Sequence, residues 1–166
     1  SASCHNPGRP AHSAAWPCPP PMSLPDPAPF RFRLRVYWED TDAGGVVFYA
    51  NYLKFFERAR TEWLRAKGVS QQRLRDQTGA MFIVSDTSLR YLAPARLDDL
   101  LDITVLPVET GRASMTLQQQ AWKLAGNVDG EESTLLCEGR IRIGCVDAAS
   151  FRPRRFPPQV TEALHS

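Results

Sequence analysis

Histidine is almost missing from this chain. Its three copies, His5, His12 and His165, all lie in the terminal segments. The body therefore has no imidazole for a Ser-His-Asp triad, a Cys-His pair or a histidine-ligated zinc. The four cysteines, Cys4, Cys18, Cys137 and Cys145, form no CxxC pair and show no metal-like spacing. They read as buried or incidental thiols in a reducing compartment, so neither a metal centre nor a cofactor is expected. No run approaches the ~18 consecutive apolar residues of a membrane span. The basic-then-apolar layout of a secretory signal is missing as well, and the expected location is the cytoplasm. A dominant charge is also lacking: 20 Lys and Arg stand against 18 Asp and Glu, a net charge of +2. That balance gives no footprint for nucleic acid. Chemistry here must run on carboxylates, hydroxyls, backbone amides or water.

The 166 residues, 43% of them apolar, are enough for one core and too few for two comfortable domains. Residues 1–29 are dense in proline and nearly free of charge, and they keep no periodicity. This composition predicts a disordered leader. Met22, followed by SLPDPAPFRF, reads as a natural start, which makes residues 1–21 an extension without structural role. The expected layout is a leader over 1–29, a single domain over 30–158 and a short tail over 159–166.

Within that domain Phe30 to Trp38 alternates apolar and basic residues, which predicts a strand with Arg31, Arg33 and Arg35 on its solvent face. From Asn51 the period becomes helical. Tyr52, Phe55, Phe56, Ala59, Trp63 and Ala66 form a wide apolar face, while Lys54, Glu57, Arg58, Arg60, Glu62 and Arg65 fill most of the remainder. Gly68, after Arg65-Ala66-Lys67, suits the end of that helix. A weaker helix is expected from Ser70 to about Gln77, closed by Thr78-Gly79. Four strand-like segments follow: Met81 to Leu92, Leu100 to Val108, Ala113 to Leu124 and Ser133 to Val146. The connections Glu109 to Arg112 and Gly126 to Gly130 have hairpin length and glycine content. Phe151 to Pro158 reads as a surface tail, and Gln159 to Leu164 as a last helical turn. One long helix followed by antiparallel strands predicts an α+β fold, the helix packed on a curved sheet.

The stretch Tyr37 to Tyr52, YWEDTDAGGVVFYANY, sets three carboxylates ahead of two glycines at the mouth of the long helix. Gly44 and Gly45 permit close backbone approach. The first helical turn presents amide N–H groups without intrahelical acceptors, and these can polarise a carbonyl. An upstream carboxylate facing the same spot can attack or activate a water. Acidic residues before a helix also serve as caps and dipole partners, so spacing alone leaves both roles open.

The run EDTDAGGVVFYANYLKFFERARTEWL resembles the signature of the 4-hydroxybenzoyl-CoA thioesterase family of hotdog proteins, in particular its YbgC-like, Tol–Pal-associated acyl-CoA thioesterase branch. The likeness continues through YLAPARLDDLLDI, Tyr91 to Ile103, and covers about Arg33 to Pro157. The resemblance implies a hotdog fold, a long helix wrapped by a five-stranded antiparallel sheet. It implies that Asp42 is the catalytic nucleophile or general base. It further implies that the backbone N–H of Tyr49 holds the thioester carbonyl and that Gly45 and Val46 shape the turn at the substrate. Some relatives carry histidine where this chain has Tyr49, so only the backbone role transfers. Arg112 falls in a tract that contacts CoA phosphates in relatives. Arg140, Arg142 and the Arg152/Arg154/Arg155 cluster are weaker candidates of the same kind, with plain surface charge as the competing role. Glu57 and Glu62 are alternative helix-borne carboxylates, competing with a solvated face or ion pair. Asp98 and Asp99 read as turn residues.

The implied function is hydrolysis of acyl-CoA, with acyl carrier protein thioesters as a second substrate, in a homodimer or homotetramer. A hotdog dehydratase would need a histidine that the body lacks. An acyl-CoA- or partner-binding module without turnover, attached to the Tol–Pal envelope machinery, is the non-enzymatic alternative.

Overall fold

The computed structural model describes residues 28–125 and 133–165. The leader up to residue 27 and the connection 126–132 lie outside the described residues. Five strands, β1 (Phe30–Arg35), β2 (Ala80–Tyr91), β3 (Leu100–Thr110), β4 (Ser114–Lys123) and β5 (Thr134–Asp147), form one sheet in the order β1-β3-β4-β5-β2. Every pairing is antiparallel. The helices are α1 (Asn51–Ala66), α2 (Gln71–Thr78) and α3 (Pro158–Leu164). The α+β expectation holds, and β2 and β1 are left as the two edges.

Helix α1 forms where the period changes and stops where expected: Gly68 takes φ +84° just beyond the cap residue Lys67. Gly79, at φ +75°, likewise ends α2. The buried face of α1 carries Tyr52, Phe55, Phe56, Ala59, Trp63 and Leu64 against Leu101, Ile103, Met115, Leu117, Leu136 and Ile141 of the sheet. Alternation aims the buried residues of β4, and of β5 from Cys137 onward, at one side, while β3 is buried at every position from Leu101 to Val105 and Leu136 falls at the register shift beside Ala121 and Trp122. Burying so many large apolar side chains in one cluster is the main stabilising term.

Two sequence expectations need correction. Arg60, assigned to the polar remainder of α1, is buried, because Gln119 of β4 receives it. Residues 151–157 are no loose surface tail. Phe156 is buried, its ring lies 5.7 Å from Phe82, and its amide donates to the carbonyl of Arg112. The tail is thereby sewn to the β3–β4 turn. The β1 arginines do more than face water: Arg33 Nε and Arg31 Nη1 lie 2.9 and 3.6 Å from the buried Asp102 carboxylate. Among the described residues no helix is long and apolar enough to cross a membrane.

Candidate active site

The acidic stretch folds into a miniature hairpin between β1 and α1. A 3₁₀ turn over Trp38–Asp40 follows β1, and Thr41 bridges Val47. The Asp42 amide donates to Val46 O at 2.9 Å, and the Gly45 amide donates back to Asp42 O at 3.0 Å. Closing that loop requires a left-handed residue, and Gly45 supplies it at φ +77°. Val47 donates to Ala95 O at 2.8 Å and Val46 bridges Arg96, so the hairpin is pinned to the segment between β2 and β3. Asp98 and Asp99 serve that segment, as expected. Asp98 takes φ +69°, and the Asp99 carboxylate accepts the Arg96 amide at 2.8 Å.

The carboxylates divide their work. Asp40 is buried: its Oδ2 accepts the Tyr37 amide at 2.9 Å, and its carbonyl accepts from Asn51 Nδ2 at 2.7 Å. Asp40 therefore ties the loop to the first residue of α1. Asp42 is exposed. Its Oδ1 accepts the amides of Gly44 at 2.8 Å and Val46 at 3.4 Å. Among the described residues its Oδ2 accepts nothing. One oxygen is thus fixed by the turn and the other is open to an incoming group.

At the helix mouth no side chain caps α1. Phe48 O receives the Asn51 amide and Ala50 O the Leu53 amide, but among the described residues the amides of Tyr49, Ala50 and Tyr52 have no acceptor. Tyr91 Oη donates to Tyr49 O at 3.2 Å, which orients the peptide that follows. Phe48, Tyr49, Tyr52 and Tyr91 form a chain of ring contacts with centroids 4.6 to 6.1 Å apart. Tyr52 Oη is buried without a hydrogen bond, although the Ala95 amide faces it, and burial pushes its pKa up to about 12. Sequence reasoning missed Tyr91. Its place in YLAPAR gave only a strand end, and no local signal could show that β2 returns to the helix mouth.

The structure brings Asp42, Gly45, Val46 and Tyr49 into one loop and does not bring Arg112 to them. Arg112 lies in the β3–β4 turn, at the opposite end of the sheet from the β1–α1 loop. The 11 residues of β3 separate the two ends by roughly 33 Å at ~3.3 Å per residue. Arg152, Arg154 and Arg155 share the Arg112 end, where Arg154 Nη1 donates to Thr78 O at 2.8 Å. Glu62 pairs with Arg65 at 2.6 Å. Glu57 is exposed and forms no ion pair among the described residues.

A long helix held against a curled five-stranded antiparallel sheet, with an aspartate loop feeding the helix start, defines a hotdog protein. The chain belongs to the thioesterase-like superfamily, whose family model matches residues 36–164. It is 42% identical over 131 residues to the acyl-CoA thioester hydrolase YbgC of Escherichia coli O6:H1, covering 79% of this chain and 92% of that protein. It is 38% identical over 136 residues to the acyl-CoA thioesterase YbgC of Haemophilus influenzae, covering 82% and 94%. Among solved structures, a 1,4-dihydroxy-2-naphthoyl-CoA thioesterase from Synechocystis superposes with a TM-score of 0.74 at 19% identity, covering 84% of this chain and 97% of that one, a likeness of fold.

Proposed function

We propose that this protein is an acyl-CoA thioesterase whose catalytic carboxylate is Asp42. The observation that carries the reading is the pairing of one open carboxylate oxygen with acceptor-free amides at Tyr49 and Ala50, seven and eight residues downstream across one tight loop. A thioester carbonyl set at the helix mouth has its developing oxyanion stabilised by those amides and by the helix dipole. Gly45 and Val46 keep the approach open, as no side chain rises from the turn at Gly45. In one route Asp42 Oδ2 attacks the carbonyl carbon, the C–S bond breaks, CoA leaves as thiolate, and water opens the mixed anhydride. In the other Asp42 takes a proton from water, which attacks directly, and the proton passes to the departing sulfur. The thiolate is a good enough leaving group for either.

The carboxylate and amides lie on an open shelf, and a second copy completes the walls. β2 is a 12-residue edge strand that exposes Ile83, Val84 and Tyr91, and such an edge asks for a cover. Two β2 edges meeting about a two-fold axis run antiparallel. That arrangement carries Arg112 of the partner subunit toward the Asp42 end of the first sheet, where CoA phosphates need cations. The likeness to the two acyl-CoA thioesterases supports the substrate class. The buried free thiols of Cys137 and Cys145 fit the reducing cytoplasm, where CoA thioesters are made.

Asp42→Asn is the decisive variant, because its side-chain oxygen still accepts the Gly44 amide while the charge is gone. With an acyl-CoA panel and thiol detection, turnover should fall by at least about 100-fold with folding unchanged. Retained turnover would assign Asp42 to the turn alone. Tight acyl-CoA binding without CoA release by the unaltered protein would favour a binding module of the Tol–Pal type. Single turnover in ¹⁸O water tests the covalent route, since label enters the Asp42 carboxyl only when water opens an anhydride at the aspartate carbon.

A further inference from the structure

One peptide unit at the mouth of α1 is held by a single side chain. The Leu53 amide donates to Ala50 O at 3.2 Å, three residues back, where a regular α-helical bond would reach Tyr49 O. The helix therefore leaves the Tyr49 carbonyl unused. On the other side of the same peptide, the Ala50 amide has no acceptor among the described residues. The Tyr91 phenol fills the gap by donating to Tyr49 O at 3.2 Å. Among the described residues it is the only hydrogen-bond partner of the Tyr49–Ala50 peptide. A planar trans peptide points its C=O and N–H in opposite directions. Fixing the oxygen thus fixes where the Ala50 hydrogen points, and that hydrogen is one of the acceptor-free donors at the helix mouth. A hydrogen bond to the carbonyl also polarises the peptide and makes its N–H a stronger donor.

Tyr91 is itself well held. It is the last residue of β2, paired with Cys137 of β5, and the Leu92 amide beyond it donates to Leu136 O at 2.8 Å. Its ring stands edge-on to Tyr49 at 6.1 Å and tilted against Tyr52 at 5.7 Å. A strand end and two rings lock the phenol, as a group that aims another must be locked. Burial raises its pKa, with Cys137 and Tyr49 adding to the effect, so the phenol keeps the proton it donates throughout the neutral range. Yet Tyr91 is 46% exposed, and a hydrogen bond so open to water contributes little to fold stability.

We propose that Tyr91 is a positioning residue of the thioesterase reaction: its phenol holds and polarises the Tyr49–Ala50 peptide so that the Ala50 N–H meets the oxyanion of the tetrahedral intermediate. The inference rests on the thioesterase reading above and adds to it a side chain that acts through the backbone. An aligned donor gains most once negative charge has developed on the carbonyl oxygen, so kcat rather than KM carries the effect.

Steady-state hydrolysis of one acyl-CoA by the full chain, with thiol detection, tests this on Tyr91→Phe, which keeps the ring contacts and removes only the hydroxyl. Its kcat should fall on the order of tenfold, less than for loss of an oxyanion donor itself, with KM and unfolding temperature unchanged. Placing 3-fluorotyrosine at position 91 gives a more acidic phenol that donates more strongly, and kcat at pH 7 should rise about twofold above that of the unaltered chain. Unchanged kcat in Tyr91→Phe overturns the proposal. A raised KM at constant kcat overturns it too, since the phenol would then be a substrate contact. Should Tyr91→Phe lower the unfolding temperature by several degrees, the fluorotyrosine form decides: a raised kcat supports the positioning role, and a kcat equal to or below the original removes it. Asp42→Asn, run alongside, keeps the two readings apart. If it is inactive while Tyr91→Phe turns over at full rate, only the positioning role falls. If it stays active, the site reading falls and this inference with it.

Discussion

Two adjacent glycines in the acidic loop do different jobs, and the difference can be measured. Gly45 sits at φ +77° with nothing within 4 Å of where a Cβ would stand. Gly45→Ala therefore costs backbone strain alone, about 1 kcal/mol, and should lower the unfolding temperature by a few degrees. Gly44 has an ordinary φ, but a Cβ there would lie 3.2 Å from Asp42 Oδ1. Gly44→Ala should leave stability nearly unchanged and still reduce kcat about tenfold or more, by displacing the carboxylate. Thermal unfolding and turnover measured on both variants check the split, and the reverse pattern would separate Asp42 from the chemistry. The loop was legible in sequence because acid, glycine and helix start are neighbours in the chain. Which oxygen of Asp42 is tied down, and that Asp40 is a buried tether, depended on folded hydrogen bonds.

At the level of elements, the sheet is tightest where β2 crosses β5. Gly139 lies opposite Leu89, and a Cβ at that position would meet the Leu89 side chain and stand 2.9 Å from Ser88 O. A backbone oxygen cannot swing aside as a side chain can. Gly139→Ala should destabilise the fold by about 1–3 kcal/mol, read as a lower denaturant midpoint with unchanged slope. The strands and helix ends could be located from local pattern, because alternation, helical spacing and glycine stops are properties of neighbouring residues. Arg60 could not be placed that way. Its burial is decided by Gln119, 59 residues away on β4, and a lone charge on a helix looks the same whether the facing strand offers water or an amide. Phe156 shows the same limit, since its docking site on Phe82 and Arg112 comes from elements distant in sequence.

For the molecule as a whole, the alkaline loss of stability follows chiefly from two groups in the core near the helix mouth, with Cys145 and Tyr91 raised by burial in the same direction. Burial pushes the Cys137 thiol up to about 12, from a value of 9.0, with Glu138 adding to it. Burial raises the Tyr52 phenol from 10.0 to about 12, the Ala95 amide opposing. Both groups keep their protons in the fold where the unfolded chain has lost them. Above pH 9.0 the unfolded state binds fewer protons, so stability falls as pH rises and levels off near 12. The unfolding temperature should drop progressively from about pH 9 upward. Cys137→Ala combined with Tyr52→Phe should flatten that decline, as followed by circular dichroism. A decline unchanged in the double variant would place the alkaline transition elsewhere.

The sequence by itself determined the class of fold, the order of its elements and the loop at Asp42, because each is a matter of composition or short-range spacing. Tertiary structure decided the rest. It put Tyr91 at the helix mouth, sent Arg112 to the far end of the sheet and buried Arg60 beside an unpaired edge. Those placements depend on which strand lies beside which, and strand order is set by packing across the sheet rather than by any neighbouring residues.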